Sequence, residues 1–239
     1  MKQDLNITGH ISKRYNQELE DIRCLLIEMG ELVINQVEDG LNCLLTSDKE
    51  LAQQVIINDK KVNQFEIKID EACTHIIATR QPAASDLRLI LCVIKTITDI
   101  ERIGDEAVKL GRNALKLINS EKDLRQFKEL KHLGEQVLSN LHLAMKAYAS
   151  LDVELALQVI EQDEQINIEF DNISRLLITK MMEDPREIKN SLRITWCARS
   201  FERIGDHGKN ICEYVVFLVK GKDVRHISIE QIKQTLEES

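Results

Sequence analysis

With 239 residues, a net charge of −8 and a pI near 5.4, the chain is long enough for two ordinary cores. That charge argues against general nucleic-acid binding, which needs clustered Lys and Arg. Nine Gly, two Pro and 4% aromatics, set among many Leu, Ile, Glu, Lys and Gln, argue against a turn-rich β fold and for long helices.

In chain order, Met1 to His10 lacks the apolar core of a signal peptide, and the aliphatic stretches near Leu87 to Ile97 and Tyr214 to Val219 are interrupted or too short to span a bilayer. Breaks near Thr46-Ser47-Asp48, Arg80 to Ser85, Asn119-Ser120-Glu121, Ser150-Leu151-Asp152 and Asp184-Pro185 divide the chain into six helical segments. These run roughly over 10–46, 48–79, 85–117, 121–150, 152–183 and 187–219, with Ser47, Ser85 and Ser120 as the expected N-caps. After Gly221 a stretch from Ile227 to Leu236 reads as a short terminal helix. Six scattered cysteines (Cys24, Cys43, Cys73, Cys92, Cys197, Cys212) form no Cys-x-x-Cys pair, so buried thiols in a reducing cytoplasm are expected rather than disulfides or zinc ligands.

The segments repeat. Glu-Arg-Ile-Gly-Asp occurs as Glu101 to Asp105 and again as Glu202 to Asp206; Met29-Gly30-Glu31 resembles Leu133-Gly134-Glu135; and Asp59, Val62 and Asn63 resemble Asp163, Ile166 and Asn167. Pro82 and Pro185 fall at matching places ahead of the two copies. The chain is therefore an internal duplication. The expected fold is all-α, two tandem three-helix bundles, with a first unit over 1–118 and a second over 119–239.

Within the third segment Ile90, Ile94, Ile97, Glu101, Gly104, Val108, Gly111 and Leu115 alternate spacings of four and three, so Glu101 stands in a buried heptad line. Asp105 falls at its margin, beside a polar face of Lys95, Arg102 and Glu106. The sixth segment repeats this with Ala198, Glu202, Gly205 and Val216, and Asp206 alongside. A mid-helix glycine costs roughly 1 kcal/mol relative to alanine, so Gly104 and Gly205 beside the acids imply close approach of another helix or a ligand. Asp59 and Asp163 interrupt apolar lines of the second and fifth segments, each with an asparagine (Asn63, Asn167) one turn on. Antiparallel packing brings Asp59 and Asn63 opposite Glu101 and Asp105.

An all-oxygen set of this kind suits a hard divalent cation, Mg²⁺ or Mn²⁺, with iron also compatible. The candidate ligands are Glu101, Asp105, Glu202, Asp206, Asp59, Asn63, Asp163 and Asn167. The rival is an interhelix salt bridge from Arg102, Arg203, Arg88 or Arg193. His207 points about 100° away from Asp206 round the helix and ranks second. Glu129 and His132 resemble half of a di-iron site with no second half, and read as surface residues. No phosphate-binding glycine loop and no nucleophile-base spacing is present, so no catalysis is expected; a metal-dependent oxidase or hydrolase using the same acids is the alternative.

The doubled Glu-Arg-Ile-Gly-Asp, the stretch Pro82-Ala83-Ala84-Ser85-Asp86-Leu87-Arg88 and the tail Gly221-Lys222-Asp223-Val224-Arg225-His226 together resemble the PhoU family, over essentially the whole chain. The resemblance implies two three-helix bundles in a cytoplasmic, often dimeric regulator of phosphate uptake that represses the phosphate-starvation response. It implies a metal motif at Glu101/Asp105 and Glu202/Asp206. It implies as partners the ATP-hydrolysing subunit of the phosphate ABC transporter and the sensor histidine kinase of the phosphate two-component system, so that membrane contact is indirect. Asp99 becomes Ser200 in the second copy and Glu66 becomes Phe170, so the two sites are expected to differ in acid count.

Overall fold

The structure is a computed structural model and describes residues 13–120, 128–225 and 227–237. Six long helices dominate: α1 (Lys13–Thr46), α2 (Lys49–Arg80), α3 (Ala84–Ile118), α4 (Lys128–Ser150), α5 (Val153–Glu183) and α6 (Ile188–Lys220). A 3-10 turn at Pro185–Glu187 and a short α7 (Ile229–Glu237) complete them. The expected helix starts at 10 and 121, the segment Met1 to His10, and His226 lie outside the described residues. None of the described helices is long and apolar enough to cross a membrane.

The helix boundaries are set by local chemistry that repeats in both copies. Ser47 and Leu151 adopt left-handed conformations, at φ 57 and 53 degrees. The next residues, Asp48 and Asp152, donate their N–H groups back to the Cys43 and Ala147 carbonyls at 3.3 and 3.0 Å. Their carboxylates accept from Leu51 and Leu155 N–H at 2.9 and 3.0 Å. One aspartate thus closes the preceding helix and caps the next. Ser47 is therefore not the cap: it lies one position early, in the left-handed turn that the reversal requires. Ser85 is not a cap either, because α3 begins at Ala84 from an uncapped Ala83 and Ser85 falls inside its first turn. The Ser120 hydroxyl closes α3 against the Leu117 carbonyl at 2.7 Å, and the helix it was expected to cap starts outside the described residues.

Helices α1, α2 and α3 pack as one antiparallel bundle, α4, α5 and α6 as a second, which is the architecture the duplication implied. The bundles meet broadly, α3 lying along α6 and α1 touching α4, while α2 and α5 flank the pair without extensive contact with each other. One continuous apolar cluster runs through all six helices, from Leu19 and Leu26 through Ile97 and Ile100 to Phe201 and Val215. Burying so many aliphatic side chains in facing stripes supplies most of the helical stability.

Two glycines test how tightly the helices approach. A Cβ on Gly111 stands 2.9 Å from the Ala52 carbonyl oxygen of α2, a backbone atom that cannot turn aside. A Cβ on Gly30 meets the Met145 side chain alone, its terminal methyl and its sulfur at 3.0 Å, and this flexible chain can swing away. We expect Gly111→Ala to lower stability by about 1–3 kcal/mol despite alanine's better helix propensity, and Gly30→Ala to be neutral or stabilising. Urea midpoints for the two variants decide this, and equal shifts would contradict it.

Candidate functional site

Antiparallel packing of α2 against α3 sets Asp59 over Gly104. A Cβ on Gly104 would stand 3.5 Å from Asp59 Oδ1 and 3.5 Å from Gln36 Oε1 of α1. Gly104 lies directly beneath the carboxylate, at a distance where a Cβ would make ordinary contact. Asp59 Oδ1 is buried without a hydrogen-bond partner, while Asn63 Nδ2 donates to Oδ2 at 3.4 Å. Burial first, then the negative charge of Asp105, raises the Asp59 carboxyl above its ordinary range. Glu101 is raised by burial and then by Asp105, Glu66 and Asp59, and Glu66 by burial and then by Asp70 and Asp105. These acids therefore feel one another across the α2/α3 groove, with no ion pair to any of Asp59, Glu66, Glu101 or Asp105 among the described residues. Glu101 is half-buried; Asp105 is exposed, further from the core than its margin position on the heptad suggested.

The second copy repeats the geometry and changes the charges. A Cβ on Gly205 would lie 3.2 Å from Asp163 Oδ1, and Asn167 Nδ2 donates to Asp163 Oδ2 at 3.4 Å. Here Lys209 Nζ stands 3.4 Å from Asp163 Oδ2, and Arg199 donates to Glu202 Oε1 at 2.9 Å. Burial is the main cause raising both Asp163 and Glu202, Lys209 and Arg199 opposing it. One interhelix salt bridge is thus present in this copy, from Lys209 to Asp163, while Arg199 pairs with Glu202 within α6; neither cation is one of those expected. Arg203 pairs with Glu106, Arg88 and Arg193 reach backbone carbonyls, and Arg102 forms no ion pair with Glu101.

Gln36 and Asn140 escaped the sequence reading. Gln36, 2% exposed, donates to the Val55 carbonyl at 3.0 Å, and Asn140 donates to the Val159 carbonyl at 3.3 Å. In each the amide oxygen is buried without a partner. They share the 104-residue offset of Asp59 and Asp163, a signal that was present in the duplication.

The seam between bundles is polar at its centre. Asp99, 4% exposed, accepts from Tyr214 at 2.9 Å and Asn210 at 3.0 Å and lies 2.7 Å from His207 Nδ1. At the exchanged positions Ser200 donates to Glu106 Oε2 at 2.9 Å, and Lys109 and Arg203 pair with Oε1. The pairs 99/207 and 106/200 are the same two positions of the repeat with copies swapped, so the seam has a pseudo-two-fold axis. Glu106 is consequently buried rather than on a solvated face. Burial opposes its ionisation, but Lys109, Ser200 and Arg203 together hold its carboxyl below the usual value. His207 turns towards α3 and is committed to Asp99. A cavity of about 870 Å³ opens beside this seam, lined by Arg102, Asp105, Arg203, Asp206, Glu213 and Arg225 among others.

Five of the six cysteines are buried; Cys24 is exposed. Glu129 and His132 lie on the surface. Among the described residues no group of three or more His, Cys, Asp or Glu side chains is arranged to hold a metal ion. The donor chemistry of the α2/α3 groove nevertheless fits a hard cation: carboxylate and amide oxygens, buried acceptors lacking donors, and acids that repel one another. A cation that retains several waters suits such an open set.

A family model described as the PhoU domain matches residues 26–114 and 130–215. The chain is 48% identical over 232 residues to the phosphate-specific transport system accessory protein PhoU homolog of Pseudomonas aeruginosa, covering 97% of this chain and 96% of that one. It is 43% identical over 232 residues to the phosphate-specific transport system accessory protein PhoU of Escherichia coli, with the same coverage of both. The crystal structure of PhoU from Pseudomonas aeruginosa matches with a TM-score of 0.85 at 48% identity, covering 87% of this chain and 100% of that chain. That of the phosphate transport system regulatory protein PhoU from Streptococcus pneumoniae matches with a TM-score of 0.81 at 28% identity, covering 88% and 99%. These relatives carry the names of accessory and regulatory proteins, not of enzymes.

Proposed function

Because this chain belongs to the PhoU family, we propose that it is a cytoplasmic accessory protein of phosphate-specific transport that represses the phosphate-starvation response. In this reading it acts as an adaptor between the ATP-hydrolysing subunit of the phosphate transporter and the sensor histidine kinase, as a homodimer. A divalent cation, Mg²⁺ or Mn²⁺ with iron as the other option, is held by the carboxylates of the helix grooves. Asp59 and Asn63 of α2 face Glu101 and Asp105 of α3, and Asp163 and Asn167 of α5 face Glu202 and Asp206 of α6. The observation that supports the metal is Asp59, set over Gly104 beside other acids with no ion pair among the described residues.

When bound, the cation supplies positive charge that relieves this repulsion. The chain's own residues do the rest: Asp59 lies over Gly104, Gln36 backs it from α1, and Asn63 holds its second oxygen. Relief of repulsion stiffens the α2/α3 face, which is solvent-accessible at Asp105 and available to a partner.

In a strain lacking its own PhoU, wild type restores phosphate-dependent repression of a starvation reporter and co-purifies with the kinase. We expect Asp59→Asn with Glu101→Gln to lose at least tenfold in Mn²⁺ affinity and to release repression. Full repression by a variant that no longer binds metal would remove the cation from the mechanism. Failure of the wild type to repress would remove the regulatory role.

A further inference from the structure

We propose that the second carboxylate cluster is neutralised from within by Lys209 and Arg199, leaving the α2/α3 cluster as the cation-dependent site of the molecule. The inference rests on the metal reading above and assigns that metal to one copy.

Three substitutions between the copies act in the same direction. Lys209 replaces Val108, and its ammonium reaches Asp163 Oδ2 at 3.4 Å. Arg199 replaces Thr98 and reaches Glu202 Oε1 at 2.9 Å. Phe170 replaces Glu66, removing one acid, and its ring lies 5.3 Å from the Arg199 guanidinium, a cation–π distance that holds the arginine over Glu202. The position that carries an acid in the first copy thus carries, in the second, the clamp for a cation.

Formal charge follows. Asp59, Glu66, Glu101 and Asp105 have no ion pair among the described residues, so the first cluster carries four negative charges when ionised. Asp163, Glu202 and Asp206 carry three, with Lys209 and Arg199 in direct ion pairs; in the first copy Arg112 and Arg102 act on Asp59 and Glu101 without forming an ion pair, and the position of Arg112 is Glu213 in the second, so direct pairing and not the total of nearby charge separates the two clusters. The helices approach somewhat more closely in the second copy, where a Cβ on Gly205 would stand 3.2 Å from Asp163 Oδ1, against 3.5 Å between a Cβ on Gly104 and Asp59 Oδ1. The Gln36 amide oxygen, on a side chain 2% exposed, lacks a partner and shares the Gly104 contact with Asp59 Oδ1; its counterpart Asn140 also has an unpartnered amide oxygen, so the amides mark both grooves and the paired cations separate them. In the second groove Asp163 Oδ1 and Glu202 Oε2 also lack hydrogen bonds, but each carboxylate already meets a cation through its other oxygen. A divalent ion there competes with both cationic side chains for the same carboxylates.

The test is Mn²⁺ titration of the full-length protein by calorimetry, with electron paramagnetic resonance of bound Mn²⁺ as a second readout. Wild-type binding is expected to vanish in Asp59→Asn with Glu101→Gln and to persist in Asp163→Asn with Glu202→Gln. Giving the second copy the residues of the first, by Phe170→Glu, Arg199→Thr and Lys209→Val, is expected to add a second class of sites. Conversely, Thr98→Arg, at a partly exposed position, is expected to weaken wild-type binding tenfold or more; its circular dichroism checks folding independently of the triple variant. Equal losses from both carboxylate pairs would overturn the inference while leaving the metal reading standing. No Mn²⁺ bound by the wild type or any variant would overturn the metal reading and the inference with it.

Discussion

Phe201→Ala lowers the free energy of unfolding by about 3–5 kcal/mol, the loss typical of a truncated buried aromatic, and does so for both bundles together. Phe201 is fully buried in α6. Its Cζ lies 3.1 Å from the place of a Cβ on Gly134 of α4, and Leu41 of α1 closes the same spot from the other bundle. The ring thus lies at a junction of three helices drawn from both copies. Gly134 has no side chain with which to fill the void, so the cavity persists. Urea unfolding followed by circular dichroism and by the fluorescence of Trp196, the chain's only tryptophan, measures this. Coincident transitions shifted to lower urea are expected; two separated transitions would show that the bundles do not share one cooperative core.

A second large effect concerns pH. Glu213, 9% exposed, has its carboxyl pushed up to about 7, chiefly by burial, with Asp223 and Asp163 adding to the rise and Lys209 and Arg225 opposing it. The folded protein holds this proton more tightly than the unfolded chain does. The associated stability is therefore fully present below the unfolded value near 4.5 and is lost as pH rises through about 7. A rise of that size corresponds to on the order of 3 kcal/mol. Glu213→Gln mimics the neutral acid at every pH. We expect it to match wild type near pH 4.5 and to exceed it by roughly 2–3 kcal/mol at pH 8. Urea midpoints measured across this range check the slope, and a gap independent of pH would sink the assignment.

The acidic groups divide by how far their environment is local. Glu101, Asp59, Glu202 and Asp163 were legible because they interrupt apolar lines of period near 3.5, and Gly104 and Gly205 because a helix tolerates such residues only for a reason. The structure pairs them as antiparallel packing implied. Ser47 was misjudged because Asp48, one residue later, can cap α2 while its N–H closes α1, an arrangement that depends on a left-handed turn no hydrophobic pattern records. Arg199 and Lys209 had no place in the sequence reading. Their role emerges only from which acids they reach, although comparison of the two copies at Thr98 and Val108 would have flagged both positions.

Helix content, helix boundaries to within a few residues, the duplication and the stripes that form each bundle are all written in the order of residues, because each arises from contacts one or two turns apart and from short connections that force neighbours to pack antiparallel. The approach of one copy to the other is not written there. On a helical wheel Asp99, Glu106 and His207 belong to a polar face, and nothing within their own bundle buries them. Docking of α3 along α6 turns that face inward, and pairing across the pseudo-two-fold axis makes the burial tolerable, since each buried charge then meets its donors from the other copy.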